Sequence, residues 1–150
     1  MESAPRTMSA DALYGTWRLV SFTTEEVSSG RTEEAFGKAP GGFINYGCDG
    51  RMFVLMVKQG RPNPVDPVTM TDQERAELFR TMISYGGTYT LEGTTITHHI
   101  DVSWNQNWTG TDQVRNARIE DHMLILATNP QVSPIDGKVG IGVLTWEKVE

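Results

Sequence analysis

The chain alternates between short stretches in which apolar and polar side chains change places at every residue and short stretches rich in glycine, proline, asparagine and aspartate. A two-residue period belongs to a β-strand with one buried face, and the interruptions carry turn chemistry. The first such run is Trp17-Arg18-Leu19-Val20-Ser21-Phe22, ending near Ser28-Ser29-Gly30. Gly42-Phe43-Ile44-Asn45-Tyr46 and Met52-Phe53-Val54-Leu55-Met56-Val57 flank Asp49-Gly50, a hairpin signal. Thr88-Tyr89-Thr90-Leu91 meets the run from Thr95 to Trp104 across Glu92-Gly93. Trp108 to Ile119, Met123 to Thr128 and Val139 to Val149 complete eight predicted strands, with a turn at Glu120-Asp121 and a loop from Asn129 to Lys138 between them.

One segment has a different period. Thr71 with Glu74 three residues on spells a capping box, and Ala76, Phe79, Met82 and Ile83 follow at spacings of three and four. That predicts an amphipathic helix before the fourth strand, stopped by Gly86-Gly87. Ahead of it, Gly60 to Pro67 holds three prolines and is an irregular loop. Eight strands joined mostly by hairpins predict an all-β fold, an eight-stranded antiparallel up-and-down barrel, because closure removes exposed sheet edges. A two-sheet sandwich fits the same pattern. A barrel of this size either fills with side chains or holds one small ligand. Residues 1–11 read as a flexible polar leader and 12–150 as the barrel domain.

Composition narrows the function classes. A net charge of -6 without a Lys/Arg cluster disfavours nucleic acid and anionic lipid, which need a basic face. No apolar run spans a bilayer, and Met1-Glu2-Ser3-Ala4-Pro5-Arg6 lacks the apolar segment of a signal peptide. Cys48 is the single cysteine, so no internal disulfide forms, and Asn107-Trp108-Thr109 is a chance glycosylation acceptor. The expected location is the cytoplasm.

Gly15-Thr16-Trp17 at the start of the first strand has the form of the Gly-x-Trp signature of lipocalins and other calycins. More specific is the whole series: Leu13 to Ser21, Gly42 to Tyr46 with Asp49-Gly50-Arg51-Met52, Tyr85-Gly86-Gly87-Thr88-Tyr89, Thr97-His98-His99, Asn107 to Thr111 with Arg115, and Leu144-Thr145-Trp146-Glu147-Lys148. It resembles the lipocalin-like domain family of small intracellular bacterial and fungal proteins, from about Ala12 to Val149. The resemblance implies a calyx, closed at one end and open at the other, holding a small molecule, and implies no particular reaction. The chain departs from secreted lipocalins in its helix before the fourth strand and its lack of a disulfide. Where a related barrel often ends in Trp-x-Arg, this one has Lys148, which can stack on Trp17 but lacks the planar guanidinium.

Alternation along Ile96, His98, Ile100, Val102 and Trp104 puts one histidine on an apolar, inward face, with Thr97, His99, Asp101 and Ser103 outward. His98 is therefore either a hydrogen-bonded core histidine or a general base in a dry pocket. Arg115 and Gln113 share a face of the next strand. An inward Arg115 needs a carboxylate partner or an anionic or enolate-like ligand oxygen, and an outward one is solvated; the resemblance favours inward. Tyr46, Tyr85, Tyr89, Trp104 and Trp108 offer apolar faces with polar edges, with Tyr46 and Tyr89 as the hydroxyl donors, and Met52, Val54 and Met56 form an adaptable wall. For most of these aromatics, packing of the barrel comes ahead of ligand contact. The catalytic set to test is His98, Arg115 and Tyr89, and the ligand-binding set Tyr46, Met52, Val54, Met56, Tyr85, Trp104, Trp108 and Gln113.

No metal or cofactor is expected. Adjacent His98 and His99 point to opposite faces, His122 sits at a turn, and no phosphate-binding glycine loop, dinucleotide fingerprint or nucleophile elbow occurs. Cys48 borders a turn as a bystander. Two functions follow from the cavity: binding of a small, largely apolar molecule (aromatic, polyketide- or terpenoid-like), or cofactor-independent cyclase, isomerase or lyase chemistry. A binder keeps its interior polar groups paired to each other, whereas an enzyme has His98 and Arg115 converging on empty space. An interaction module using the outer wall or the proline-rich loop ranks behind both, since the sequence marks no exposed apolar patch. Partners are a small hydrophobic ligand or substrate and, for a homodimer, a second copy of the chain.

Overall fold

The computed structural model of the protein describes residues 8–64, 66–133 and 136–149. Most of the expected leader, Val65 of the proline-rich loop and two residues of the 129–138 loop lie outside the described residues.

Among the described residues ten antiparallel strands form one sheet: β1 (Gly15–Glu26), β2 (Thr32–Glu34), β3 (Gly41–Tyr46), β4 (Arg51–Val57), β5 (Met82–Glu92), β6 (Thr95–Ser103), β7 (Asp112–Glu120), β8 (Met123–Thr128), β9 (Gln131–Val132) and β10 (Val139–Lys148). Their order is β2-β1-β3-β4-β5-β6-β7-β8-β10-β9, and β1 also pairs with β10, so the sheet closes on itself. Closure makes it a barrel and not a sandwich. The short β2 and β9 are additions beside β1 and β10, and the remaining eight strands follow one another up and down.

Helix α1 (Asp72–Arg80) begins as its sequence predicts: Thr71 Oγ1 accepts from the Glu74 amide at 3.1 Å, and Glu74 Oε1 from the Thr71 amide at 2.9 Å. It precedes the fourth barrel strand, which is the fifth once β2 is counted. Its end differs from expectation. The Thr81 hydroxyl donates to the Glu77 carbonyl at 2.8 Å, and Met82 and Ile83 already belong to β5. Gly86-Gly87 lies inside that strand, where the β5–β6 register slips. Neither glycine has a left-handed φ, so close approach is what demands them: a Cβ on Gly87 would lie 1.9 Å from the His99 carbonyl oxygen, and one on Gly86 2.6 Å from the Phe53 ring.

The slip is a bulge, with Gly87 opposite Ile100, Gly86 opposite Val102, and Asp101 the extra residue. Beyond it the inside-outside alternation of β6 inverts. Val102, expected to face inward, is 68% exposed, and Trp104 packs against Phe79 of α1 at a ring distance of 6.0 Å instead of lining the interior. The next strand starts at Asp112 and not at Trp108, because Gln106–Trp108 forms a 3-10 turn capped by Asn105. A further correction concerns the outer wall, where Phe43, Phe53, Leu55 and Val102 are exposed around a shallow depression.

One end of the barrel is sealed. A 3-10 turn at Ala10–Ala12 delivers fully buried Leu13 beneath Trp17, whose Nε1 donates to the Leu13 carbonyl at 2.9 Å. The Lys148 ammonium lies 4.7 Å from the centre of the Trp17 ring and donates to the Tyr14 carbonyl, so lysine does cover the tryptophan. The opposite end is a charged mouth that includes Glu25, Glu26, Arg31, Glu33 and Lys138. Among the described residues no helix is long and apolar enough to cross a membrane.

Candidate functional site

Strand alternation carries His98 on β6, Tyr85 on β5, Tyr46 on β3 and Arg115 on β7 into the barrel, where all four are buried. The Tyr46 hydroxyl lies 2.7 Å from His98 Nε2, and the Tyr85 hydroxyl 2.7 Å from Nδ1. Both ring nitrogens are thus engaged. A neutral imidazole has one donor and one acceptor nitrogen, so one tyrosine donates to it and the other accepts from it.

Burial sets the protonation of this group. Desolvation, then the nearby Arg115 charge, then His99, hold His98 well below the usual histidine pKa, so the ring is neutral at neutral pH. Tyr46 is pushed well above 10, first by desolvation and then by Tyr85, with Arg115 opposing. Tyr85 also rises by desolvation, and Arg115 again opposes. Removing one hydroxyl from this network should be costly. Tyr46→Phe leaves Nε2 unsatisfied in a dry interior, and a loss of about 1 to 3 kcal/mol is expected in urea unfolding. An unchanged unfolding midpoint would mean that the contact contributes nothing to the fold.

Arg115 is 6% exposed. Its Nη1 donates to the adjacent Val114 carbonyl at 3.0 Å, and among the described residues no carboxylate lies within ion-pair distance of it. A cavity of about 80 Å³ opens beside it toward the mouth, with apolar walls that include Val54, Met56, Ile83, Leu126, Leu144 and Trp146. Tyr85, His98, Arg115 and Thr128 are the polar groups of its inner wall, and Trp108 stands over it, 5.6 Å from the Tyr85 ring.

Several candidate residues lie elsewhere. Tyr89 belongs to the sealed end: its hydroxyl donates to the Gly47 carbonyl at 2.7 Å and its ring packs edge-on against Tyr46, so Tyr85 takes the place beside His98 and Arg115 that the sequence reading gave to Tyr89. Met52 and Tyr46 are fully buried but do not line the cavity, whereas Val54 and Met56 do. Gln113 sits opposite His98 in the ladder and is half-buried, with its amide 3.4 Å from the Thr111 hydroxyl. Thr128 and Trp146 are not among the sequence-derived ligand-binding candidates, although the alternation of β8 and β10 places both inward. Among the described residues no group of three metal-ligating side chains comes together.

A family model described as a lipocalin-like domain matches residues 14–149. Among solved structures, a lipocalin-like protein from Bacteroides uniformis ATCC 8492 is 14% identical, with 92% of this chain and 99% of that one covered and a TM-score of 0.48. An uncharacterized protein from Bacteroides eggerthii DSM 20697 is 12% identical, with coverage of 91% and 99% and a TM-score of 0.45. No curated protein matches the chain.

Proposed function

Because the chain belongs to the lipocalin-like domain family, we propose that it binds one small, largely apolar molecule, of aromatic, polyketide- or terpenoid-like kind, in the cavity of its barrel. The observation that supports this most is the combination of an apolar-walled void open at one end with a histidine whose two nitrogens are already paired to tyrosines. Apolar walls supply the affinity, at roughly 25 cal/mol for each Å² removed from water, and a few polar groups fix orientation.

The second reading, a cofactor-independent cyclase, isomerase or lyase, rests on the same histidine and is weaker. A general base needs a free nitrogen lone pair and a pKa near the working pH. Tyrosine contacts occupy both His98 nitrogens, and burial with Arg115 depresses its basicity.

A neutral fluorophore tests the binding reading without involving charge. N-phenyl-1-naphthylamine is expected to gain fluorescence saturably on titration with the protein. Ile83→Trp, which fills the cavity from β5, should weaken that binding at least tenfold while leaving the circular dichroism spectrum unchanged. The absence of a saturable signal with the wild-type chain removes the reading.

A further inference from the structure

We infer that the ligand carries a carboxylate or comparable oxyanion at the end that enters the barrel, held by Arg115 and the Tyr85 hydroxyl. This rests on the cavity-binding reading and names the chemistry of its inner end.

The interior polar groups divide unevenly between donors and acceptors. The Tyr46 hydroxyl makes its hydrogen bond, among the described residues, to His98 Nε2. If Tyr46 accepted there, its own buried proton would have no acceptor, so Tyr46 donates and Nε2 is the lone-pair nitrogen. The proton of the neutral ring is then on Nδ1 and is donated to the Tyr85 oxygen. Tyr85 in turn has its O–H proton left over, on a side chain that lines the cavity. Tyr46 is a positioning residue: acting through His98, it makes Tyr85 a donor toward the void.

The other groups on that wall point the same way. Arg115 has only donors, and its charge has no carboxylate within ion-pair distance among the described residues. Thr128 Oγ1 already accepts from the Gly142 amide at 2.8 Å, which leaves its hydroxyl proton to donate. Trp146 belongs to the same wall, and its indole N–H is a buried donor with no partner among the described residues. The inner wall therefore offers donors and one positive charge, with carboxylates confined to the mouth. A buried guanidinium without a counter-charge is costly, and a ligand oxyanion relieves that cost with charge-assisted hydrogen bonds. Size agrees with a head-first arrangement. The void of about 80 Å³, open at the mouth, is smaller than the ~150 Å³ engineered cavity that accepts benzene, so it takes one end of a molecule whose apolar remainder extends toward the mouth.

The experiment compares matched acids and amides by calorimetry on the wild-type chain: octanoate against octanamide, and benzoate against benzamide. At least one acid is expected to bind ten times or more tightly than its amide. Arg115→Met should abolish that preference, bringing acid and amide within about twofold, and Tyr85→Phe should weaken the acid five- to tenfold. Equal affinities for acid and amide, or no binding of any of the four while N-phenyl-1-naphthylamine still binds, overturn the anion inference and leave the cavity reading standing. Failure of the neutral fluorophore as well overturns both. The wild-type comparison needs no variant to fold.

Discussion

Gly87→Ala is expected to cost more than about 4 kcal/mol, a large share of the roughly 5 to 15 kcal/mol by which a domain is stable. The new methyl carbon would sit 1.9 Å from the His99 carbonyl oxygen and 2.8 Å from its carbon. Both are backbone atoms of the adjacent strand, so no side-chain rotation relieves the overlap and β5 must part from β6. The damage falls on the site as well, because His98 immediately precedes His99 and reaches Tyr85 across this pair of strands. Gly93→Ala is the control. It lies in the turn between the same strands at φ 66 with nothing within 4 Å of the added carbon, so it meets backbone strain alone, about 1 to 2 kcal/mol. Urea unfolding of the two variants compares them directly. Similar modest losses would mean that the strands flex enough to absorb the contact.

A second large effect is expected on acidification. His98 is neutral in the folded barrel and its pKa is held well below 6.5 by burial, Arg115 and His99. The sign follows from which state takes up the proton. Below about pH 6.5 the unfolded chain protonates this histidine while the folded chain does not, so stability is present in full above that pH. It falls as pH falls, by up to about 1.4 kcal/mol per pH unit, until the folded pKa is reached. Glu26 and Glu74, whose carboxyls are held below the usual carboxylate range by hydrogen bonds from Ser28 and Thr71, act at lower pH, so the effect of His98 is read in the window from about 6.5 to 4.5 by comparison with its variant. Urea unfolding across that window should give a marked slope for the wild-type chain and a much shallower one for His98→Asn. Equal slopes would show that His98 protonates freely in the fold. At the alkaline end the sign reverses: Tyr46 and Tyr85 are raised above 10, so stability falls as pH rises beyond that value.

The inward placement of His98 was legible because it lies on the regular part of β6, where period-two alternation holds, whereas the residues alone left Arg115 open and the family resemblance favoured inward. Val102 and Trp104 were misassigned by the same rule, since a bulge at Gly86-Gly87 shifts the phase by one residue. A glycine pair after a helical pattern reads as a helix stop, and nothing local distinguishes that from a strand position pressed against a neighbouring backbone. Tyr85 and Tyr89 share one face of β5, whereas the sequence reading began that strand at Thr88 and so left Tyr85 outside the alternation. Their depth along the barrel axis separates them, placing Tyr89 at the sealed end against Gly47 and Tyr85 beside His98.

Local sequence alone determined most of the strands, the hairpin turns, the capped helix start and, on regular stretches of strand, the inward face that holds His98, because these depend on side-chain period and on chemistry within a few residues. Tertiary structure alone decided that the first and last strands join, that Tyr46 meets His98 from three strands away in the sheet, and that Arg115 is buried without an acidic partner among the described residues. The physical reason is separation along the chain. The groups that meet in the interior are brought together by closure of the sheet, and the phase of each strand at closure depends on backbone contacts such as Gly87 against His99, which no single segment contains.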